Sequence, residues 1–205
     1  MMKLYNNPQS RGLTLLPLLK ELQIEGQIEQ MEVSYEYMHQ AEYLQINPMG
    51  KVPCLVDQEI VISEMAAIFI YLADKYSDKG LAPALDEPKR GAYLKWILFC
   101  HGPFIEYIDI KNLQVSPENI EQNRRSLSFG NEAAVFDFLK QGISQANPYL
   151  LGEEFSAADL YAAYCLVFAI SAKILPPFDE FRPYLQQMAS RDSLKDMPWF
   201  QDYRV

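Results

Sequence analysis

The 205-residue chain is poor in the residue types on which several chemistries depend. Its three cysteines, Cys54, Cys100 and Cys165, lie far apart, each in apolar sequence. A disulfide framework is therefore excluded, and a reduced, cytoplasmic chain is expected. The two histidines, His39 and His101, form no HxxxH, and no CxxC occurs, so no metal site is expected. Basic residues are outnumbered, 18 Lys and Arg against 27 Asp and Glu, giving a net charge of −9. Such a chain repels polyphosphate, and Arg124-Arg125 reads as a solvated helix face, so no nucleic-acid partner is expected. Long apolar runs are missing too. The stretch Leu160 to Ile170 has eleven residues, where a membrane-spanning helix needs about 20. Met1 to Asn7 lacks the apolar core of a signal peptide, so neither export nor a membrane partner is expected.

What is present is periodic. Lys3 to Asn6 reads as a strand, and leucine-rich Leu13 to Leu22 as a helix with Pro17 in its first turn or at a kink. Gln27 to Ser34 alternates like a second strand, and His39 to Ile46 reads as a short helix or turn. Pro53 to Asp57 and Glu59 to Ile62 form a hairpin closed at Asp57-Gln58. Ser63 to Tyr76 is a helix that Ser63 can cap, with Met65, Ile68, Phe69, Leu72 and Tyr76 as its apolar stripe. The order βαβαββα predicts an α/β domain with a mixed four-stranded sheet over residues 1–77. Residues 78–88, with Gly80, Pro83 and Pro88, read as a linker.

From 89 to 205 only helices are expected. One runs from Lys89 to Leu113, disturbed at Gly102-Pro103. A second starts at Ser116-Pro117-Glu118 and runs to about Gly142. Two more span Phe155 to Lys173 and Phe178 to Ser190. Ser156 and Asp159, three apart, predict a capping box at the Phe155 helix.

Three segments resemble one family. Asn47-Pro48-Met49-Gly50-Lys51-Val52-Pro53 is similar to the NPxGKVP segment of cytosolic glutathione S-transferases. Ile62-Ser63-Glu64-Met65-Ala66-Ala67-Ile68 resembles their L-T/S-E-S-x-A-I segment, and Leu151 to Asp159 their LxGxxFSxAD helix start. Order, spacing and domain sizes match as well. The resemblance implies a thioredoxin-like, glutathione-binding first domain and an all-α second domain. It also implies a cis bond at Val52-Pro53, with the backbone of Val52 pairing with the cysteinyl unit of glutathione. Glu64 and Met65 would hold the γ-glutamyl carboxylate, and Met65 replaces the serine whose hydroxyl the family uses there. Lys51 would face the glycyl carboxylate or solvent, and His39 lies near where some members place a basic side chain for that carboxylate.

The family also needs a donor to the glutathione sulfur just after the first strand. Ser10 leads, with Tyr5 and Asn7 as alternatives, and Ser10 doubles as a helix cap. A serine there, rather than cysteine, speaks against members that form a mixed disulfide. Tyr93, Trp96, Phe99, Cys100, Phe104 and Tyr107 cluster in the first helix of the second domain. By resemblance, that helix lines the pocket of a small hydrophobic electrophile, although aromatics at helical spacing also suit a core. The implied function is glutathione conjugation, or an isomerase or reductase variant, in a homodimer. The alternative is a non-catalytic binding module of the same fold.

Overall fold

The computed structural model describes residues 1–204. The chain divides into two compact units, Met1–Ala82 and a second that begins at Pro83.

The first unit is an α/β fold. Strand β1 (Met2–Asn6) pairs in parallel with β2 (Ile28–Glu32) and antiparallel with β3 (Cys54–Asp57), which pairs antiparallel with β4 (Ile60–Ser63). The sheet order is β2-β1-β3-β4. Helix α1 (Leu15–Leu22) has Pro17 in its first turn, where a missing N–H costs nothing, and a 3-10 turn (Arg11–Thr14) precedes it. Leu15, Leu18, Leu19 and Leu22 are fully buried, each contributing roughly 1.5–3 kcal/mol. Helix α2 (Ala41–Ile46) follows a short 3-10 turn, and α3 (Met65–Lys75) buries Ile68, Phe69 and Leu72.

Two local expectations change. The hairpin turn is Gln58-Glu59, because Asp57 still pairs with Ile60 and Gln58 adopts φ 56°. Ser63 does not cap α3. It ends β4, and the single residue left for the reversal, Glu64, takes φ 70° and makes no side-chain cap bond. Asp57 ties the hairpin to α3: Tyr71 Oη donates to it at 2.6 Å, and Lys75 forms an ion pair with it.

The second unit is helical. Helices α4 (Lys89–Phe99) and α5 (Ile105–Asn112) are joined by a π turn over Cys100–Phe104. The wider turn accommodates Pro103, which has no N–H to give and whose ring would crowd an α-helical carbonyl. The helix expected from Ser116 to Gly142 is instead two. Helix α6 (Pro117–Asn123) is capped by Ser116 Oγ, and α7 (Glu132–Ser144) by Asn131 Oδ1 accepting from Ala134 N. Gly130 at φ 69° makes the break between them. Helix α8 (Ala157–Ser171) is buried on nearly all sides, as its apolar composition requires, and α9 (Arg182–Ala189) packs on it. A 3-10 stretch, Pro198–Tyr203, follows α9.

The start of α8 is held by one buried carboxylate. Asp159 accepts from Leu150 N (2.8 Å), Ser156 N (3.0 Å), Ser156 Oγ (2.8 Å) and Tyr184 Oη (3.3 Å). Burial pushes its pKa up to about 6, against hydrogen bonds that pull it down, so it is ionised at neutral pH.

Replacing Asp159 with Ala strands buried donors and should lower stability by roughly 3–5 kcal/mol, read from urea denaturation at pH 7. Asp57 behaves oppositely with pH. Hydrogen bonds from Lys75 and Tyr71 hold its pKa below the usual carboxylate value. Its contribution is complete above about pH 5 and is lost as pH falls from about 4 through the lowered value of the folded state. Urea midpoints of Asp57→Asn should therefore fall less steeply than those of the parent between about pH 5 and 3.

Candidate functional site

Strand register collects the candidate residues of the first unit. Tyr5 pairs with Cys54, and Cys54 with Ser63, so these three form one row across the sheet. Just beyond that row lie the end of β1 with its loop, the Val52-Pro53 approach to β3, and the Glu64 entry to α3. The sheet thus delivers Ser10, Val52 and Met65 to one end without any of them belonging to a strand.

The loop after β1 is tightly bonded. Asn7 Nδ2 donates to Val33 O at 2.8 Å, and Asn7 Oδ1 accepts from Gln9 N at 2.8 Å. Its amide ties the loop to Val33 and Gln9. Ser10 Oγ accepts from Gly12 N at 3.1 Å and caps the 3-10 turn. Its single proton has two acceptors, Asn7 O at 2.8 Å and Asn6 Oδ1 at 3.2 Å. A Cβ on Gly12 would stand 1.9 Å from Asn6 Oδ1, so any larger residue there must displace that side chain. Tyr5 points into a core cluster with Val33, Met38, Tyr43 and Cys54, and meets the Tyr43 ring edge-on at 5.8 Å.

The turn before β3 is organised around Lys51. Its side chain is exposed, as is His39, while its carbonyl accepts two hydrogen bonds, from Tyr43 Oη at 2.6 Å and Asn47 Nδ2 at 2.8 Å. The Val52-Pro53 peptide is cis. Among the described residues, the N–H and C=O of Val52 enter no hydrogen bond. Cys54, next in line, is buried, and burial pushes its thiol up to about 11, which keeps it protonated. At α3, the first-turn N–H of Met65 points outward from the helix start, while the Met65 side chain is 7% exposed and packs inward.

Of the six clustered residues of the second unit, Tyr93, Trp96, Cys100, Phe104 and Tyr107 are buried. Tyr93 and Phe104 are fully enclosed, and Trp96 lies against Gly142 so closely that a Cβ there would be 2.4 Å from the indole. Cys100 is enclosed beside Cys165, and burial holds its thiol well above the ordinary value. Phe99, half-buried, is the aromatic of this helix that reaches the surface, and it stacks on Phe138 at 4.0 Å.

Asn6, Gly12, Tyr43 and Asn47 were not among the site residues expected from sequence. Only Asn47, within the NPxGKVP-like segment, carried a signal. Tyr43 reads in sequence as an ordinary core aromatic.

Residues 1–74 match the model of the glutathione S-transferase N-terminal domain. Glutathione S-transferase F14 of Arabidopsis thaliana is 32% identical over 127 residues, 57% of this chain and 48% of that one. The chain thus spans about half the length of the first curated relatives it matches. A glutathione transferase of Methylococcus capsulatus is 25% identical with a TM-score of 0.78, covering 99% of this chain and 98% of its own. The same fold recurs in a sphingomonad glutathione S-transferase complexed with glutathione, 24% identical with a TM-score of 0.72, over 94% of this chain and 95% of that one. A thioredoxin-like first unit that matches the glutathione S-transferase N-terminal domain, a helical second unit and these structural likenesses together give the chain the glutathione S-transferase fold.

Proposed function

We propose that the chain is a cytoplasmic glutathione transferase that joins the glutathione thiolate to small hydrophobic electrophiles. The observation that carries this reading is the meeting, at one end of the sheet, of three groups. They are the open backbone pair of Val52, the first-turn N–H of Met65 and the Ser10 hydroxyl. The cysteinyl unit of glutathione pairs with Val52 as one more antiparallel strand. Its γ-glutamyl carboxylate sits at the start of α3, on the backbone N–H of Met65 and beside Glu64. Lys51 and His39, both exposed on the same segment, face the glycyl carboxylate.

Ser10 is the donor to sulfur. A free thiol has a pKa near 8.5, so little thiolate exists at pH 7. The Ser10 proton turns from Asn7 O to the sulfur, because an anion is the stronger acceptor. Gly12 N–H stays on Oγ and strengthens the donor. The bonds of Asn7 to Val33 and Gln9 and the place of Tyr5 in the core favour Ser10 over these two rivals. The thiol proton passes to solvent, and a sulfur lone pair forms the S–C bond. With an aryl halide, the halide leaves with its bonding pair. Phe99 is the aromatic of α4 that reaches the surface of the second unit, with Trp96 and Phe104 packed against it. Exposed Met49, Ile60 and Val61 on the first unit favour the two-fold dimer usual in the family.

One observation favours a second reading, a non-catalytic binding module. Met65 supplies no hydroxyl to the γ-glutamyl carboxylate, and a hydrogen bond to a charged group is worth roughly 1.5–3 kcal/mol. Conjugation of glutathione to chlorodinitrobenzene decides between the two. Turnover is expected, and Ser10→Ala should cut it about tenfold while raising the pKa of the bound thiol by about one unit. No retention on immobilised glutathione and no turnover, even at millimolar glutathione, would favour the binding module instead.

A further inference from the structure

We infer that Tyr43 and Asn47 form a clamp on the Lys51 carbonyl that sets the affinity for the cysteinyl unit of a γ-glutamyl thiol. The inference deepens the proposed function and rests on it. Two donors converge on one oxygen: Tyr43 Oη at 2.6 Å and Asn47 Nδ2 at 2.8 Å. That oxygen and the Val52 N–H belong to one planar peptide unit, so bonds to the oxygen fix the direction of the N–H. Both donors are themselves held. Tyr43 is fully buried and packs its ring against Tyr5 and Tyr37. Asn47 is 3% exposed, and its Oδ1 accepts from Met49 N at 3.2 Å. Gly50 N, in the same turn, donates to Asn47 O at 2.9 Å.

A turn that carries a ligand's main-chain bonds must hold its N–H and C=O within a fraction of an ångström of the bound geometry. The Val52 side chain packs against the core cluster, and the two donors add the directional bonds that fix the Lys51–Val52 peptide. They occupy the carbonyl of Lys51 and leave the N–H and C=O of Val52 for the ligand. Tyr43 and Asn47 are positioning residues, since neither side chain faces the ligand.

The test is calorimetric titration of the full chain, Tyr43→Phe and Asn47→Asp with glutathione and with γ-glutamylcysteine. Tyr43→Phe removes one donor and keeps the ring. Asn47→Asp keeps the acceptor for Met49 N and turns the other bond repulsive. Both variants should bind both thiols about three- to tenfold more weakly, with equal loss for the two ligands. The KM for the electrophile and the pKa of the bound thiol, which belongs to Ser10, should not move; a general loosening of the fold would shift them as well. If either variant fails to fold, the other carries the test. Parent binding with unchanged affinity in the variants, or a loss confined to glutathione, overturns the clamp alone. A parent that binds neither thiol overturns the proposed function, and the clamp with it.

Discussion

The antiparallel pairing of β1 with β3 is the constraint on which the rest depends. Tyr5 opposite Cys54 fixes where β1 ends relative to where β3 begins. A slip of one residue would turn Tyr5 and Cys54 out of their shared core and send Leu4 and Leu55 into it from the wrong face. The hydrophobic cost of such a slip runs to several side chains at roughly 1.5–3 kcal/mol each. The register is therefore set by apolar residues that have no chemical role. The polar groups beyond the row inherit their positions from it.

Order in the loops comes from hydrogen bonds. Asn7 bonds in both directions, to Val33 and Gln9, and so anchors the segment that carries Ser10. Tyr43 and Asn47 do the same for the segment that carries Val52. The division is economical in polar groups: one buried side chain bonds the backbone, and the neighbouring residue is left with a free valence for a ligand. Glu64 pays the conformational cost of the third segment, since φ 70° is unfavourable for a residue with a Cβ.

Much of this was legible in the sequence, for physical reasons. The apolar periods of residues 3–6, 13–22 and 63–76 gave the strand and helices of the first unit, and Ser156 with Asp159 marked the start of α8. The break before α7 was missed because α6, with no buried residue, carries no apolar period whose end could be read. Ser63 looked like a cap because helix propensity alone does not reveal that β4 needs it to pair with Cys54. At the site, the candidates Ser10, Val52 and Met65 were visible as residue types in a familiar order. Their hydrogen-bond states were not, since Asn7 O as a partner for Ser10 depends on backbone angles that no spacing rule encodes. Tyr43 was invisible for the opposite reason: its ring satisfies the core pattern completely, and only its hydroxyl has a further use.

The central claim is that the backbone at Val52 and the start of α3 together receive a γ-glutamyl thiol. Amide chemical shifts measured during a glutathione titration test it most directly, because they report on the backbone rather than on turnover. Saturable shifts of the Val52 and Met65 amides, following one binding curve, are the predicted result. Shifts elsewhere with both of these amides unmoved at saturation would contradict it.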